Sequence, residues 1–255
     1  MNHQLIILTC TVKTKMTEGM KRSDIDVRRN DYIKAITEWS DLSKELGFRI
    51  LVVENSNSIE DLYENLKMLK NPWIKFVQLK EDMRSHHEGN SAGEYQMLKE
   101  VVELGIIPAE IVLVWKITGR LFIRNFKQIL PSDYPDLIVN RFYNPKHIVD
   151  TRVIGFSRTK FASIFSSNPR FTSEMKLNSN CNQKVYSSLE DLVSINALHS
   201  EISGDVVRTM NKVPIFIGNS GTSDKPIDGT TSRLKKQLAN SIRPLVVKLL
   251  VGSIP

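Results

Sequence analysis

The chain has 255 residues, 41% hydrophobic and 25% charged, so it is long and apolar enough to bury a substantial core. Its formal net charge of +7 does not indicate nucleic-acid binding, because five basic residues and no acidic one follow Asp228, and the rest is nearly balanced. Two cysteines are too few for a secreted disulfide framework, and no apolar run approaches the roughly 18 residues of a membrane span.

Short apolar, β-branched runs alternate with segments of helical periodicity along most of the chain. The first run, 5–12, is a predicted strand, and Ser23 or Asp24 begins a long helix that Gly47 ends. Further strands are predicted at 48–53, 73–79, 110–116, 137–142, 149–156 and 213–217, and further helices at 58–69, 93–104, 160–165 and 188–198. This alternation implies an α/β fold with a mostly parallel sheet flanked by helices. We expect one such domain over 1–230 and a basic tail over 231–255.

Ligands of parallel sheets bind beyond the carboxyl ends of the strands. Thr9 and Thr11 lie in the last part of the first predicted strand, and Glu54 and Asn55 follow the second. We therefore expect these residues to bind a nucleotide, with the carboxylate and amides holding a ribose or a base. The alternative is a plain turn, because Asn and Ser favour turns without any ligand.

The polar segment 84–93 leads into a predicted helix and includes Gly89 and Asn90. Backbone N–H groups at a helix start can bind an anion. The adjacent His86 and His87 cannot share one helix face, and the sequence offers no third metal ligand beside them. The segment therefore indicates a substrate loop around Gly89 and Asn90.

The segment Lys116-Ile-Thr-Gly-Arg120 ends the most apolar predicted strand. It places two cations and the hydroxyl of Thr118 around Gly119, which permits close approach of the backbone. Such a cluster suits a diphosphate or a carboxylate. The alternative is a strand end with solvated charges.

Six segments together resemble small bacterial glycosyltransferases of lipopolysaccharide and capsule assembly. They are Thr-Cys-Thr at 9–11, Val-Val-Glu-Asn-Ser at 52–56, Gly-Asn-Ser-Ala-Gly-Glu at 89–94, Lys-Ile-Thr-Gly-Arg at 116–120, Asp-Thr-Arg at 150–152 with Gly-Phe at 155–156, and Pro-Ile-Phe-Ile-Gly-Asn-Ser-Gly at 214–221. The resemblance implies a GT-A-like fold. A nucleotide sugar would bind across the N-terminal half, and a saccharide or lipid-linked acceptor would enter from the C-terminal half.

The chain departs from the usual GT-A pattern at the metal site. Such enzymes carry Asp-x-Asp after the central strand to hold a divalent cation on the diphosphate. Here that position reads Lys116-Ile-Thr118, and the only Asp-x-Asp, at 24–26, comes too early and suits a helix start. We expect no metal ligands and no required cofactor, with Lys116 or Arg120 stabilising the leaving diphosphate.

An inverting transfer also needs a base, for which a carboxylate is the usual choice. Glu190 and Asp191 are the catalytic candidates, although Ser187 and Glu190 also have the spacing of a capping box, which is purely structural. Asp150 and Arg152 are expected to bind acceptor hydroxyls, or else to form a surface ion pair.

The tail carries leucines at near-helical spacing, Leu234, Leu238, Leu245 and Leu249, between the basic residues Arg233, Lys235, Lys236, Arg243 and Lys248. Pro244 should kink such a helix. The pattern favours either attachment to a membrane surface or a terminal helix packed on the domain. We expect a cytoplasmic protein, peripheral on the inner face of the cell membrane if the first alternative holds.

Two other functions fit the same pattern. A parallel α/β sheet also supports nucleotidyltransferases and other nucleotide-dependent enzymes, because a fold does not fix a function. A non-catalytic binding module at the membrane is favoured by the tail alone. Nucleic acid is not an expected partner.

Overall fold

The computed structural model describes residues 3–14, 24–81, 90–141, 149–171, 185–186 and 188–219. The strands are β1 (Gln4–Cys10), β2 (Arg49–Glu54), β3 (Ile74–Gln78), β4 (Leu113–Thr118), β5 (Phe122–Ile123), β6 (Leu137–Arg141), β7 (Val149–Ser157), β8 (Arg170–Phe171), β9 (Val185–Tyr186), β10 (Val207–Thr209) and β11 (Phe216–Ile217). The helices are α1 (Ile25–Leu46), α2 (Ile59–Leu66), α3 (Asn90–Glu103), α4 (Phe126–Ile129), α5 (Arg158–Phe165) and α6 (Leu189–Ile202), with a 3₁₀ turn at Lys67–Leu69.

A seven-stranded sheet in the order β10-β6-β7-β4-β1-β2-β3 forms the centre of the described chain. Only β7 runs antiparallel to its neighbours β4 and β6. The other pairings within this sheet are parallel. The mostly parallel α/β sheet predicted from the sequence is therefore confirmed.

Each face of the sheet is covered by its own hydrophobic core. One core joins the sheet to α3, α5 and α6, and the other joins it to α1, α2 and α4. Residues of β1 alternate between the two, with Leu5 and Ile7 in the first core and Ile6 and Leu8 in the second. This alternation follows from the two-residue period of a strand, and it explains why β1 has no polar face.

The first helix begins and ends as the sequence predicts. The Asp24 side chain accepts a hydrogen bond from the N–H of Val27, and Gly47 ends the helix in the left-handed conformation at φ 71°. An Asp cap satisfies one of the free N–H groups at a helix start, and glycine adopts positive φ without a Cβ clash. No helix within the described ranges has the length and apolarity needed to cross a membrane.

Some predicted bounds differ from the structure. Helix α3 begins at Asn90 rather than at 93, and β4 runs over Leu113–Thr118 rather than 110–116. Residues preceding Leu113 instead form a turn, in which the Ile111 N–H donates to the carbonyl of Pro108. The sequence missed the short elements β5, α4, β8, β9 and β10, because two to four residues are too few to show a period.

The order of the strands creates a topological switch point at the carboxyl edge of the described sheet. From β1 the chain builds β2 and β3 on one side, and later it places β4 on the other side of β1. Ligands of open α/β sheets bind where the strand order reverses in this way. Thr9 and Thr118 are register partners at this switch point, and their contact with a donor stays a prediction.

Candidate active site

Five polar side chains form a hydrogen-bonded chain at the switch point. We call them the lysine cluster: Thr9, Glu94, Lys116, Thr151 and Glu190. The ammonium of Lys116 lies 2.6 Å from Glu94 Oε1 and donates to the carbonyl of Thr151 at 2.6 Å. Thr9 Oγ1 donates to the same Glu94 oxygen at 3.0 Å, and the Thr151 hydroxyl donates to Glu190 Oε1. The cluster links β1, β4, β7, α3 and α6.

Lys116 lies inside β4 and not at its end as the sequence predicted. The strand continues to Thr118, and the Lys116 side chain is only 1% exposed. Because side chains alternate along a strand, Lys116 shares the face of Val114, whereas Trp115 and Ile117 pack into the opposite core. The alternative of a solvated strand-end charge is therefore wrong for Lys116. Its contact with a diphosphate stays a prediction.

Glu54 organises the loops that follow β1 and β2. Its carboxylate is buried and accepts N–H bonds from Val12, Ser56 and Ser58 at 2.9–3.2 Å. Asn55 is also buried and accepts a hydrogen bond of 2.7 Å from the Thr11 hydroxyl. These contacts match the turn that the sequence left open as an alternative. Nucleotide contacts of Thr11, Glu54 and Asn55 stay a prediction.

Arg28 fixes the same loop from α1. Its guanidinium is buried, and its Nε donates to the carbonyls of Thr11 and Val12 at 3.2 Å. Burial raises the pKa of the neighbouring Cys10 thiol well above its usual value; Glu54 adds to this rise, while Arg28 and Arg120 oppose it. Cys10 is therefore a neutral thiol with a packing role.

Gly119 brings the turn after β4 against β1. Its N–H donates to the carbonyl of Thr9 at 2.9 Å. A Cβ at this position would lie 2.6 Å from Cys10 Sγ and 2.8 Å from the Thr9 oxygen, so only glycine allows this approach. The close approach predicted for Gly119 is thus made to the protein's own backbone.

Arg120 extends from that turn toward a different neighbour than Lys116. Its Nε donates to the carbonyl of Asn219 at 3.2 Å, beyond the antiparallel pair of β5 and β11. Arg120 keeps partial exposure, in contrast to Lys116. The two cations share no partner among the described contacts.

Asp150 and Arg152 form a partly buried ion pair and not a surface one. Arg152 donates to both carboxylate oxygens of Asp150, at 2.8 and 2.5 Å, and Asp150 is 3% exposed. Asn140 donates to the same carboxylate at 3.3 Å, and the Arg152 guanidinium lies 4.4 Å from the ring centroid of Phe216. Their role toward an acceptor stays a prediction.

The start of α6 separates Glu190 from Asp191. The helix is capped by Ser188, whose hydroxyl oxygen accepts from the N–H of Asp191, while Ser187 of the alternative capping box lies outside the described residues. Glu190 accepts a hydrogen bond from the Thr151 hydroxyl in the lysine cluster. The structure brings Glu190 to the switch point with Thr9, while Asp191 belongs to the cap.

The remaining predicted site residues are exposed or lie outside the described residues. Asn90 is the exposed first residue of α3, while Gly89 and the tail 231–255 lie outside the described residues. Within the described ranges, no group of three or more His, Cys, Asp or Glu side chains could hold a metal ion. The predicted domain bound at 230 also lies outside them.

Sequence reasoning missed Glu94, Thr151 and Arg28 as members of the site. One signal was present for Glu94, because a lysine within the most apolar strand requires a carboxylate partner once buried. Thr151 lies in the Asp-Thr-Arg segment at 150–152, but no role was assigned to it, and no sequence signal pointed to Arg28; the contacts of both depend on packing between distant segments.

Comparisons with known proteins concern the fold. No protein-family model and no curated protein matches the sequence. The structure is similar to the galactosyltransferase LgtC in complex with donor and acceptor sugar analogues, with a TM-score of 0.42, 10% identity, 62% of this chain covered and 59% of that enzyme's length. A nucleoside-diphosphate-sugar pyrophosphorylase from Vibrio cholerae has a TM-score of 0.47 and 10% sequence identity. The similarity covers 81% of this chain and 91% of that enzyme. A Drosophila galactosyltransferase 7, crystallised with manganese, UDP-Gal and xylobiose, has a TM-score of 0.41 and 12% sequence identity. The similarity covers 91% of this chain and 73% of that enzyme.

Proposed function

We propose that this chain is a glycosyltransferase that moves a sugar from a nucleotide-sugar donor to a saccharide or lipid-linked acceptor of bacterial surface polysaccharide synthesis. The observation that carries the proposal is the lysine cluster at the switch point between β1 and β4. Carboxylates and hydroxyls are the groups that recognise the hydroxyls of a sugar, and the switch point is where a nucleotide-bound substrate enters such a sheet.

The diphosphate of the donor is assigned to the turn Thr118–Arg120. Arg120 supplies a fixed positive charge that keeps partial exposure, while Gly119 holds the turn against β1. Charge develops on the diphosphate as the sugar departs, and a preorganised guanidinium stabilises it there. Thr11, Glu54 and Asn55 are proposed to shape the nucleoside side of the site.

Glu190 is the proposed base of an inverting transfer. The acceptor oxygen forms a bond to the anomeric carbon, the bond from that carbon to the diphosphate oxygen breaks, and its electron pair leaves with the nucleoside diphosphate. The acceptor proton passes to the Glu190 carboxylate. The hydrogen bond from Thr151 orients that carboxylate, and Asp150 and Arg152 are proposed to bind the acceptor.

Product analysis with a panel of nucleotide sugars and saccharide acceptors tests the function. A glycosylated product with release of nucleoside diphosphate supports it. Release of pyrophosphate from a nucleoside triphosphate and a sugar phosphate would instead identify a nucleotidyltransferase. Binding without any product would favour the non-catalytic module.

We also propose that transfer needs no divalent metal and that the basic tail attaches the protein to anionic lipid. The first proposal rests on Lys116 and Thr118 at the position of the usual Asp-x-Asp, and the second on the five basic residues after Asp228. Activity lost to a chelator and restored by manganese would refute the first. Equal vesicle binding by the full chain and by residues 1–230 would refute the second.

A further inference from the structure

The ammonium of Lys116 is buried and bound to two groups of the protein. These partners, Glu94 Oε1 and the carbonyl of Thr151, each lie at 2.6 Å, and the side chain is 1% exposed. A buried ammonium needs such partners, because an unpaired charge is costly inside a protein. Lys116 therefore holds the Glu94 carboxylate and the backbone at Thr151 in position.

Glu94 differs from its partner because it is open on one side. Its side chain is 23% exposed, and the hydrogen bonds from Lys116 and Thr9 both reach Oε1. No hydrogen bond from the described part of the chain reaches Oε2. An ionised carboxylate can accept about four hydrogen bonds, so Oε2 retains its capacity for a ligand.

The position of Glu94 places that capacity at the switch point. The carboxylate is bonded to Thr9, the register partner of Thr118 across the switch point. Its exposed part offers only the lone pairs of a carboxylate, because the ammonium of Lys116 is enclosed in the core. An anionic acceptor repels a phosphate and attracts hydroxyl donors.

We infer that Glu94 binds a hydroxyl group of the donor sugar through Oε2, with Lys116 as the positioning residue that fixes the carboxylate. The inference rests on the proposed function and deepens it by assigning the sugar and the diphosphate of the donor to different residues. The sugar hydroxyl is bound at Glu94, and the diphosphate is bound at Arg120 on the turn after β4. Lys116 then acts through Glu94 rather than on the diphosphate.

The test compares the affinity for a nucleotide sugar with that for its parent nucleoside diphosphate. Calorimetric titration of the full chain with UDP, UDP-glucose, UDP-galactose, GDP and GDP-mannose first identifies the pair that binds. Glu94→Gln should weaken the nucleotide sugar about 10- to 100-fold, the scale of a hydrogen bond to a charged group, and leave the nucleoside diphosphate within about twofold. Lys116→Met should weaken only the nucleotide sugar, about 3- to 10-fold, because the carboxylate stays but is less fixed.

Two further variants keep the test decisive. Glu103→Gln, on the same helix and paired only at the surface with Lys99, is the matched control and should change neither affinity. If Glu94→Gln does not fold, the double variant Glu94→Gln/Lys116→Met removes both charges and should show the same selective loss.

The outcomes separate this inference from the proposed function. Equal losses for sugar-bearing and sugar-free nucleotides, or no loss for either, overturn the role of Glu94 while the glycosyltransferase proposal stands. Failure of every nucleotide and nucleotide sugar to bind the unmodified chain overturns the proposed function and this inference with it.

Discussion

The buried pair of Lys116 and Glu94 should respond unequally to the loss of either partner. Glu94→Gln leaves an ammonium that is 1% exposed without a counter-charge, and a stranded buried charge costs about 3–5 kcal/mol of unfolding free energy. Lys116→Met leaves a carboxylate that is 23% exposed and still bonded to Thr9. It removes two hydrogen bonds of about 1 kcal/mol each and adds apolar packing, so we expect a loss of about 1–2 kcal/mol.

The double variant Glu94→Gln/Lys116→Met should be no less stable than Lys116→Met alone, because no charge remains stranded. The single losses sum to about 4–7 kcal/mol, so a double loss of about 1–2 kcal/mol, equal to that of Lys116→Met alone, corresponds to a coupling of about 3–5 kcal/mol. Urea denaturation followed by tryptophan fluorescence measures all three, with Glu103→Gln as a surface control expected within about 0.5 kcal/mol of the unmodified chain. Additive losses, or a larger loss for Lys116→Met than for Glu94→Gln, would refute the asymmetry drawn from burial.

Four further changes test other parts of the site. Arg120→Met should lower the transfer rate about 10²- to 10³-fold with a much smaller loss of nucleotide affinity, and normal transfer by the folded variant would contradict its role at the diphosphate. Glu190→Gln should slow transfer about 10²- to 10⁴-fold in a product assay, whereas Asp191→Asn should not; the reverse pattern would exchange the two residues. Gly119→Ala should destabilise the fold by about 2 kcal/mol in urea, since the added carbon lies 2.6 Å from a sulfur atom, and unchanged stability would show that the turn can move. In a variant without the second cysteine, Cys10 should resist iodoacetamide at pH 8 until denaturant is added, because burial raises the pKa of its thiol; rapid labelling of the native chain would contradict this.

The carboxyl edge of the sheet was predictable from the sequence, because the strands and helices that define it are set by local periodicity. The apolar run of β1, the Asp24 cap and the Gly47 end of α1 are local signals, and each acts within a few residues. The alternation of such elements requires parallel strands, and parallel strands place Thr9, Glu54 and Thr118 at one edge. The sequence thus determined the sheet and the side of it where the candidate site lies.

The partner of each charge was decided only by the tertiary structure. The prediction ended β4 two residues early, and this alone moved Lys116 from the inside of the strand to its end. Glu94 reaches Thr9 across 85 residues of sequence, and Thr151 reaches Glu190 across 39. Local periodicity contains no information about such pairs, because they depend on how α3 and α6 pack on the sheet. The sequence therefore determined which chemical groups reach the edge, and packing determined that Lys116 is enclosed while Glu94 remains open.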